Sequence, residues 1–223
     1  MIIAIHQPNY LPYLGFFDKM RKSDVFVIYD DAQFTKSDYH HRNKIRIFNS
    51  WKWLTVPVIK NRVPLNEIII NNTFKIKNKP WHESHFLEIH NNYAKSAFFW
   101  QYSDEVKEIY ANKYDKLIDL NMELILFLKS AFDIKTPFVF SSELGFDSTS
   151  TDKLIDIIKE LDGGTYLSGI GGLKYLEMEK FKNNNIHVEV QNFKHPVYNQ
   201  CYKGFVSDLA AIDLLFNCGK LIY

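Results

Sequence analysis

Only two cysteines, Cys201 and Cys218, stand in 223 residues. They form no framework of pairs and have no metal-ligand spacing, so they read as reduced thiols of a cytosolic protein. A charge bias is missing too: 27 basic residues against 26 acidic leave a net charge of +1. No whole-protein field then draws in nucleic acid or a membrane, and binding a polyanion needs a local patch. No stretch approaches the roughly 20 apolar residues that cross a bilayer; the richest, 117–132, is interrupted by Asp119, Asn121, Glu123 and Lys129. The opening Met-Ile-Ile-Ala-Ile-His carries no charged leader, so no signal peptide is expected, and the expected location is cytoplasmic.

Several signatures of chemistry are also lacking. No Gly-Lys-Ser/Thr follows the glycine-rich segment 166–172, which excludes a P-loop, and its G-x-G-G lacks the third glycine of the dinucleotide fingerprint. No G-x-S-x-G elbow occurs, and nicotinamide and pyridoxal signatures are absent. The segment Trp81-His82-Glu83-Ser84-His85 approximates a zinc-protease helix, but its histidines are three apart rather than four. His40 and His41 are adjacent and point apart, so they seldom chelate one ion. No metal site is expected.

What the chain has is apolar and aromatic mass. Hydrophobic residues make up 46% and support a sizeable core; aromatics, at 16%, fill cores or line pockets that stack on a flat ring or a sugar face. One α/β domain over residues 1–223 is the expectation, with a helical insertion at about 79–132. Ile2–Ile5 is a continuous apolar run suited to a buried strand. Two prolines interrupt 6–12, then Leu14, Phe17 and Met20 fall on one side of a short helix, and Val25–Tyr29 is a second strand. That is a Rossmann-like βαβ start. A hairpin is predicted from strands 45–48 and 53–58 with Ser50 in the turn, and a short strand at 68–70. Helix is predicted around 83–93, and one long helix runs from an N-cap at Ser103 to about Phe132. The alternation of strands at 138–140, 165–168 and 186–190 with helices at 151–161, 173–181 and from Ser207 predicts a mostly parallel sheet with helices on both faces.

Polar residues gather where strands end, and ligands of open α/β sheets bind at the carboxyl ends of strands. His6, Gln7, Asn9 and Tyr10 follow the first strand. Asp30, Asp31, Gln33 and Lys36 follow the second; in an extended chain the two carboxylates cannot both face inward, so one orients a base, holds a metal or accepts from a sugar hydroxyl while the other is solvated. Arg42 and Lys44 flank Asn43 and project to one face, as a phosphate clamp would require. Ser168, Gly169, Gly171 and Gly172, with Tyr175 beyond, form a glycine turn whose amides can approach a phosphate. His195, held extended before a proline, and Gln200 follow the last strand.

These segments resemble the WbqC-like family of bacterial proteins. The resemblance rests on residues 6–20 (His-Gln-Pro-Asn-Tyr-Leu-Pro-Tyr-Leu-Gly-Phe-Phe-Asp-Lys-Met), 30–36, 42–45, 53–58, 166–172, 195–200 and 212–219, and covers residues 2 to about 219. It implies a place among enzymes of O-antigen and other surface polysaccharides (lipopolysaccharide included), with transfer of glycine onto an amino sugar as one suggested role. The function expected is N-acyl or aminoacyl transfer onto a nucleotide-linked amino sugar. His6 or His195 acts as base with Asp31 orienting it, a diphosphate meets Arg42, Lys44 and the glycine turn, and Tyr10 or Tyr13 stacks on sugar or base. An activated acyl donor or ATP is the co-substrate; nucleic acid and membrane insertion are not expected. The alternatives are an ATP-dependent adenylyl or nucleotidyl transferase, since the strand–proline loop–helix–strand opening is loosely similar to HIGH-motif nucleotidyltransferases, and a non-catalytic binding or scaffold protein.

Overall fold

A computed structural model describes residues 1–59 and 62–222. The chain groups into two compact units: Met1–Gln7, Gly15–Ala32 and Ile134–Lys194 in the first, Pro8–Leu14, Gln33–Asp133 and His195–Tyr223 in the second.

In chain order, the first apolar runs become β1 (Ile2–His6), α1 (Leu14–Arg21) and β2 (Val25–Ile28). The second unit then supplies the hairpin β3 (Arg42–Ile47) and β4 (Ser50–Thr55), a minor pair β5 (Lys75–Ile76) and β6 (Lys79–Pro80), and the helices α2 (Trp81–Tyr93), α3 (Phe99–Ala111) and α4 (Leu117–Ala131). The first unit resumes with β7 (Phe138–Phe140), α5 (Ser150–Glu160), β8 (Thr165–Ser168), α6 (Met178–Asn183) and β9 (His187–Val190), and the second ends with α7 (Ile212–Cys218).

The first unit is a five-stranded sheet in the order β7-β2-β1-β8-β9, every neighbour parallel, with helices around it. This is the α/β architecture the alternation predicts. The chain builds outward from β1 to β2 and β7, then returns to the other side of β1 with β8 and β9. The strand order therefore reverses between β1 and β8, the switch point at which open α/β sheets bind their ligands. The core is the apolar filling of the strands: Ile3, Ile5 and Val27 pack with Ile155, Ile157 and Ile158 of α5 and with Tyr166, Phe181 and Ile186. Each such aliphatic side chain contributes roughly 1.5–3 kcal/mol by leaving water.

Gly163 ends the α5 segment with its amide on the Ile158 carbonyl at 2.7 Å. A β-carbon there would lie 2.5 Å from Ile3 Cγ1 and 2.9 Å from the Ile158 carbonyl oxygen, whereas at Gly164 nothing lies within 4 Å. Gly163→Ala is expected to destabilise by about 1–3 kcal/mol through overpacking, with Gly164→Ala close to neutral. Equal midpoints for the two variants in urea unfolding would reject this account.

Three sequence expectations are corrected. The hairpin lies earlier than predicted: Ser50 is not in the turn but pairs with Ile47 as the first residue of β4. The long helix is two helices, broken at 112–116, and Ser103 is a buried interior residue of α3 rather than a cap. Tyr110 and Leu117 are seven residues apart, so the apolar spacing carries across a break that the polar run Asn-Lys-Tyr-Asp-Lys makes. The last helix starts at Ile212, not Ser207: Asp208 has φ 57, and Ala210 bridges to Tyr13 instead of joining the helix.

Candidate functional site

In the first unit, the carboxyl ends of the strands carry the candidate residues. His6 closes β1, its ring edge-on to Phe16 at 5.0 Å and its Nδ1 2.9 Å from the Gln7 carbonyl oxygen. A carbonyl only accepts, so Nδ1 carries the proton donated to it. Gln7 follows, half-buried. Beneath this end lies Lys19 of α1, 3% exposed, which donates to the Ile5 carbonyl at 2.8 Å. Burial pushes its amine down to about 7. Across the switch point, Gly169, Gly171 and Gly172 follow β8, and open space surrounds the position a β-carbon would take at Gly169 and at Gly171. Tyr175 is 81% exposed.

Asp31 does not take the role of orienting His6. Its Oδ1 accepts from Ser141 Oγ at 2.6 Å and its Oδ2 from Lys153 Nζ at 2.6 Å. Asp30 is buried and accepts from Ser141 Oγ (3.1 Å), the Ser142 amide (3.1 Å) and Ser142 Oγ (2.7 Å). Neither carboxylate is a solvated turn residue. Residues 30–31 form a turn rather than extended chain, so both side chains reach the serines that follow β7. They tie the ends of β2 and β7 together. Ser168 is also corrected: it is fully buried, its Oγ donating to the Gly169 carbonyl at 3.1 Å, and a β-carbon at Gly172 would stand 2.8 Å from that Oγ. It supports the glycine turn from below and offers no surface to a ligand.

The second unit holds the other predicted residues. Tyr10 is fully buried, with its hydroxyl against Tyr110 and 2.9 Å from His85 Nδ1, so it presents no face for stacking. Burial, then Tyr110, holds that phenol well above its ordinary range. Asn9 is buried; Asn43 is 1% exposed and donates to the Leu11 carbonyl at 2.6 Å while accepting the Lys44 amide, which fixes the proline loop instead of reaching a ligand. Gln33 is exposed and bridges Pro64. Arg42 and Lys44 do share one face: the Arg42 guanidinium lies 4.5 Å from the Trp53 ring, and the Lys44 ammonium 5.1 Å from Trp51. His195 is stacked near Tyr198 and edge-on to Phe205, with Nδ1 2.8 Å from the Pro196 carbonyl oxygen. Gln200 is occupied structurally, donating to Val206 and Asp213 and accepting the Val206 amide.

Sequence reasoning missed Lys19, Ser141, Ser142 and Lys153. An ammonium on the apolar side of a helix beginning Leu-Gly-Phe-Phe was the available signal for Lys19; the partners of Asp30 and Asp31 lie more than a hundred residues away and had none.

A model of the WbqC-like protein family matches residues 7–221. The chain is also similar to a protein of Mycobacterium tuberculosis described as uncharacterized protein Rv1507c, at 31% identity over 222 residues, covering 97% of this chain and 94% of that one. No solved structure matches. Among the described residues, no helix is long and apolar enough to cross a membrane.

Proposed function

The chain belongs to the WbqC-like protein family, and from that premise we propose that it is a group-transfer enzyme of bacterial surface-polysaccharide biosynthesis that moves an acyl or aminoacyl group onto the amine of a nucleotide-linked amino sugar. The observation that carries the reading is the switch point of the first unit, where His6 at the end of β1 faces the same strand-end edge as the glycine turn after β8. Backbone amides of that turn suit the diphosphate of the nucleotide. His6 Nε2 takes the proton of the sugar amine as its nitrogen attacks the acyl carbon; the new C–N bond forms, the bond to the donor's sulfur or oxygen breaks, and the proton passes to that leaving group.

The same switch point suits an ATP polyphosphate, which keeps adenylyl transfer as a second reading, with amino-acid-dependent ATP–pyrophosphate exchange as its signature. A thermal-shift series with UDP- and dTDP-linked amino sugars, free nucleotides and ATP separates them. A ligand at 100 times its Kd adds about 2.7 kcal/mol of stability. Stabilisation by the amino-sugar nucleotides above the free nucleotides is expected; stabilisation by ATP alone moves the assignment to adenylyl transfer, and silence throughout leaves a scaffold. His6→Gln is expected to keep that stabilisation and lose roughly 10²-fold in kcat/KM. Unchanged turnover would remove His6 from the mechanism.

A further inference from the structure

The second unit contains a cleft of about 500 Å³ that no part of the proposed reaction uses. Its walls are mainly apolar, built from Trp53, Leu54, Val56 and Pro57 of the strand segment and from Phe74 and Ile76 opposite. This is the size and character of a small-molecule site, and the aromatic rings suit a flat, apolar body.

Its polar groups narrow the class. Lys52 is already paired with Glu88 at 2.6 Å, so that pair brings no net charge. His41 and His85 are buried, and burial first, then neighbouring cations, pushes them down to about 4 and about 3; both line the cleft as neutral imidazoles. His85 is held by Tyr10 on one nitrogen and by the Thr55 backbone. His41 is different. It is 3% exposed, and its Nδ1 has no hydrogen-bond partner among the described residues. A buried polar atom without a partner costs free energy that a ligand can restore. Lys36 adds an exposed ammonium to the cleft wall and is ion-paired to none of the described residues. Among the lining residues one ammonium is uncompensated, and the Arg42 guanidinium, in no ion pair among the described residues, lies 4.5 Å from the Trp53 ring beside it; such an apolar, aromatic cleft calls for a negative charge on an apolar, aromatic ligand.

We propose that this cleft binds a small aromatic carboxylate, its ring between Trp53 and Phe74, its charge met by Lys36, and a polar edge met by His41. A single ammonium beside two neutral imidazoles suits a carboxylate better than a doubly charged phosphate. The site and its ligand are independent of the amino-sugar reaction.

The test uses 2-naphthoate and its uncharged isostere 2-naphthamide as probes on the full chain, read by calorimetry and by quenching of tryptophan fluorescence. Saturable one-to-one binding of 2-naphthoate is expected, on the order of tenfold tighter than that of 2-naphthamide. Lys36→Ala, an exposed substitution, should bring 2-naphthoate down to the affinity of the amide. Trp53→Phe should remove most of the quenching while calorimetry still registers binding, which places the probe in this cleft. The proposal fails if 2-naphthoate does not saturate, if acid and amide bind alike, if Lys36→Ala leaves affinity unchanged, or if quenching survives Trp53→Phe.

Discussion

Asp213→Ala is expected to lower the unfolding free energy by about 2–4 kcal/mol, from leaving hydroxyl donors unpaired at roughly 1–3 kcal/mol each. The carboxylate is wholly buried on α7. Its Oδ1 accepts from the Tyr93 hydroxyl at 2.9 Å, and its Oδ2 from the Tyr198 hydroxyl at 2.7 Å and from Gln200 Nε2 at 2.9 Å. Tyr93 in turn accepts the Arg46 amide at 2.8 Å, so the network links α7, α2 and the hairpin strand β3 within the second unit. Alanine leaves the Tyr93 and Tyr198 hydroxyls without this acceptor, while Gln200 Nε2 keeps its bond to the Val206 carbonyl, and rotation of the two hydroxyls relieves only part of the loss. Burial raises the Asp213 carboxyl above its ordinary value, against the opposing effect of its hydrogen-bond donors. A carboxyl whose folded value is raised contributes most below its unfolded value and loses that contribution as pH rises through the folded value. The stability gap between the parent and Asp213→Ala should therefore narrow with rising pH across that window. Chemical denaturation at several pH values measures both effects; a gap below 1 kcal/mol throughout would show that the network contributes little.

Lys19→Met should act in the opposite direction. The amine is 3% exposed, has one hydrogen bond to the Ile5 carbonyl, and lies 6.0 Å from the centroid of the Tyr166 ring. A fall from 10.5 to about 7 corresponds to roughly 5 kcal/mol of stability withheld at and below neutral pH. The unfolded chain binds the proton between about 7 and 10.5 while the folded chain does not, so stability rises with pH through that window. Methionine removes the ionisation and keeps the volume, at the loss of one hydrogen bond worth about 1 kcal/mol. The expected result is a gain of about 3 kcal/mol at pH 7, together with loss of the rise above it. A gain in stability accompanied by loss of turnover would mark Lys19 as a positioning group for the end of β1, retained at a thermodynamic cost. A destabilised variant with the pH dependence intact would overturn the argument.

Both substitutions concern residues whose importance was invisible in the chain order. Lys19 sits inside a segment that reads as an amphipathic helix, and Asp213 inside an apolar C-terminal run. The candidate residues divide in the same way. His6 and the glycine turn were legible, since a strand end followed by prolines or glycines is written in consecutive residues. Tyr10, Asn43, Ser168 and Gln200 have the residue types of ligand contacts, yet each is consumed by the fold. His85 lies in a segment whose histidine spacing only approximates a zinc helix; its partner is the Tyr10 hydroxyl, seventy-five residues earlier in the chain.

The sequence alone determined the strands of the parallel sheet, the βαβ opening and most of the helices. Apolar runs, periodicity and turn residues are properties of neighbours along the chain, and burial of those runs dictates a sheet covered by helices. Only the tertiary structure decided the order β7-β2-β1-β8-β9, the break between α3 and α4, and the partner of each polar atom. Asp31 meets Lys153 across 122 residues and Tyr93 meets Asp213 across 120. A buried polar group must find a partner somewhere, and which partner it finds is fixed by packing, not by spacing.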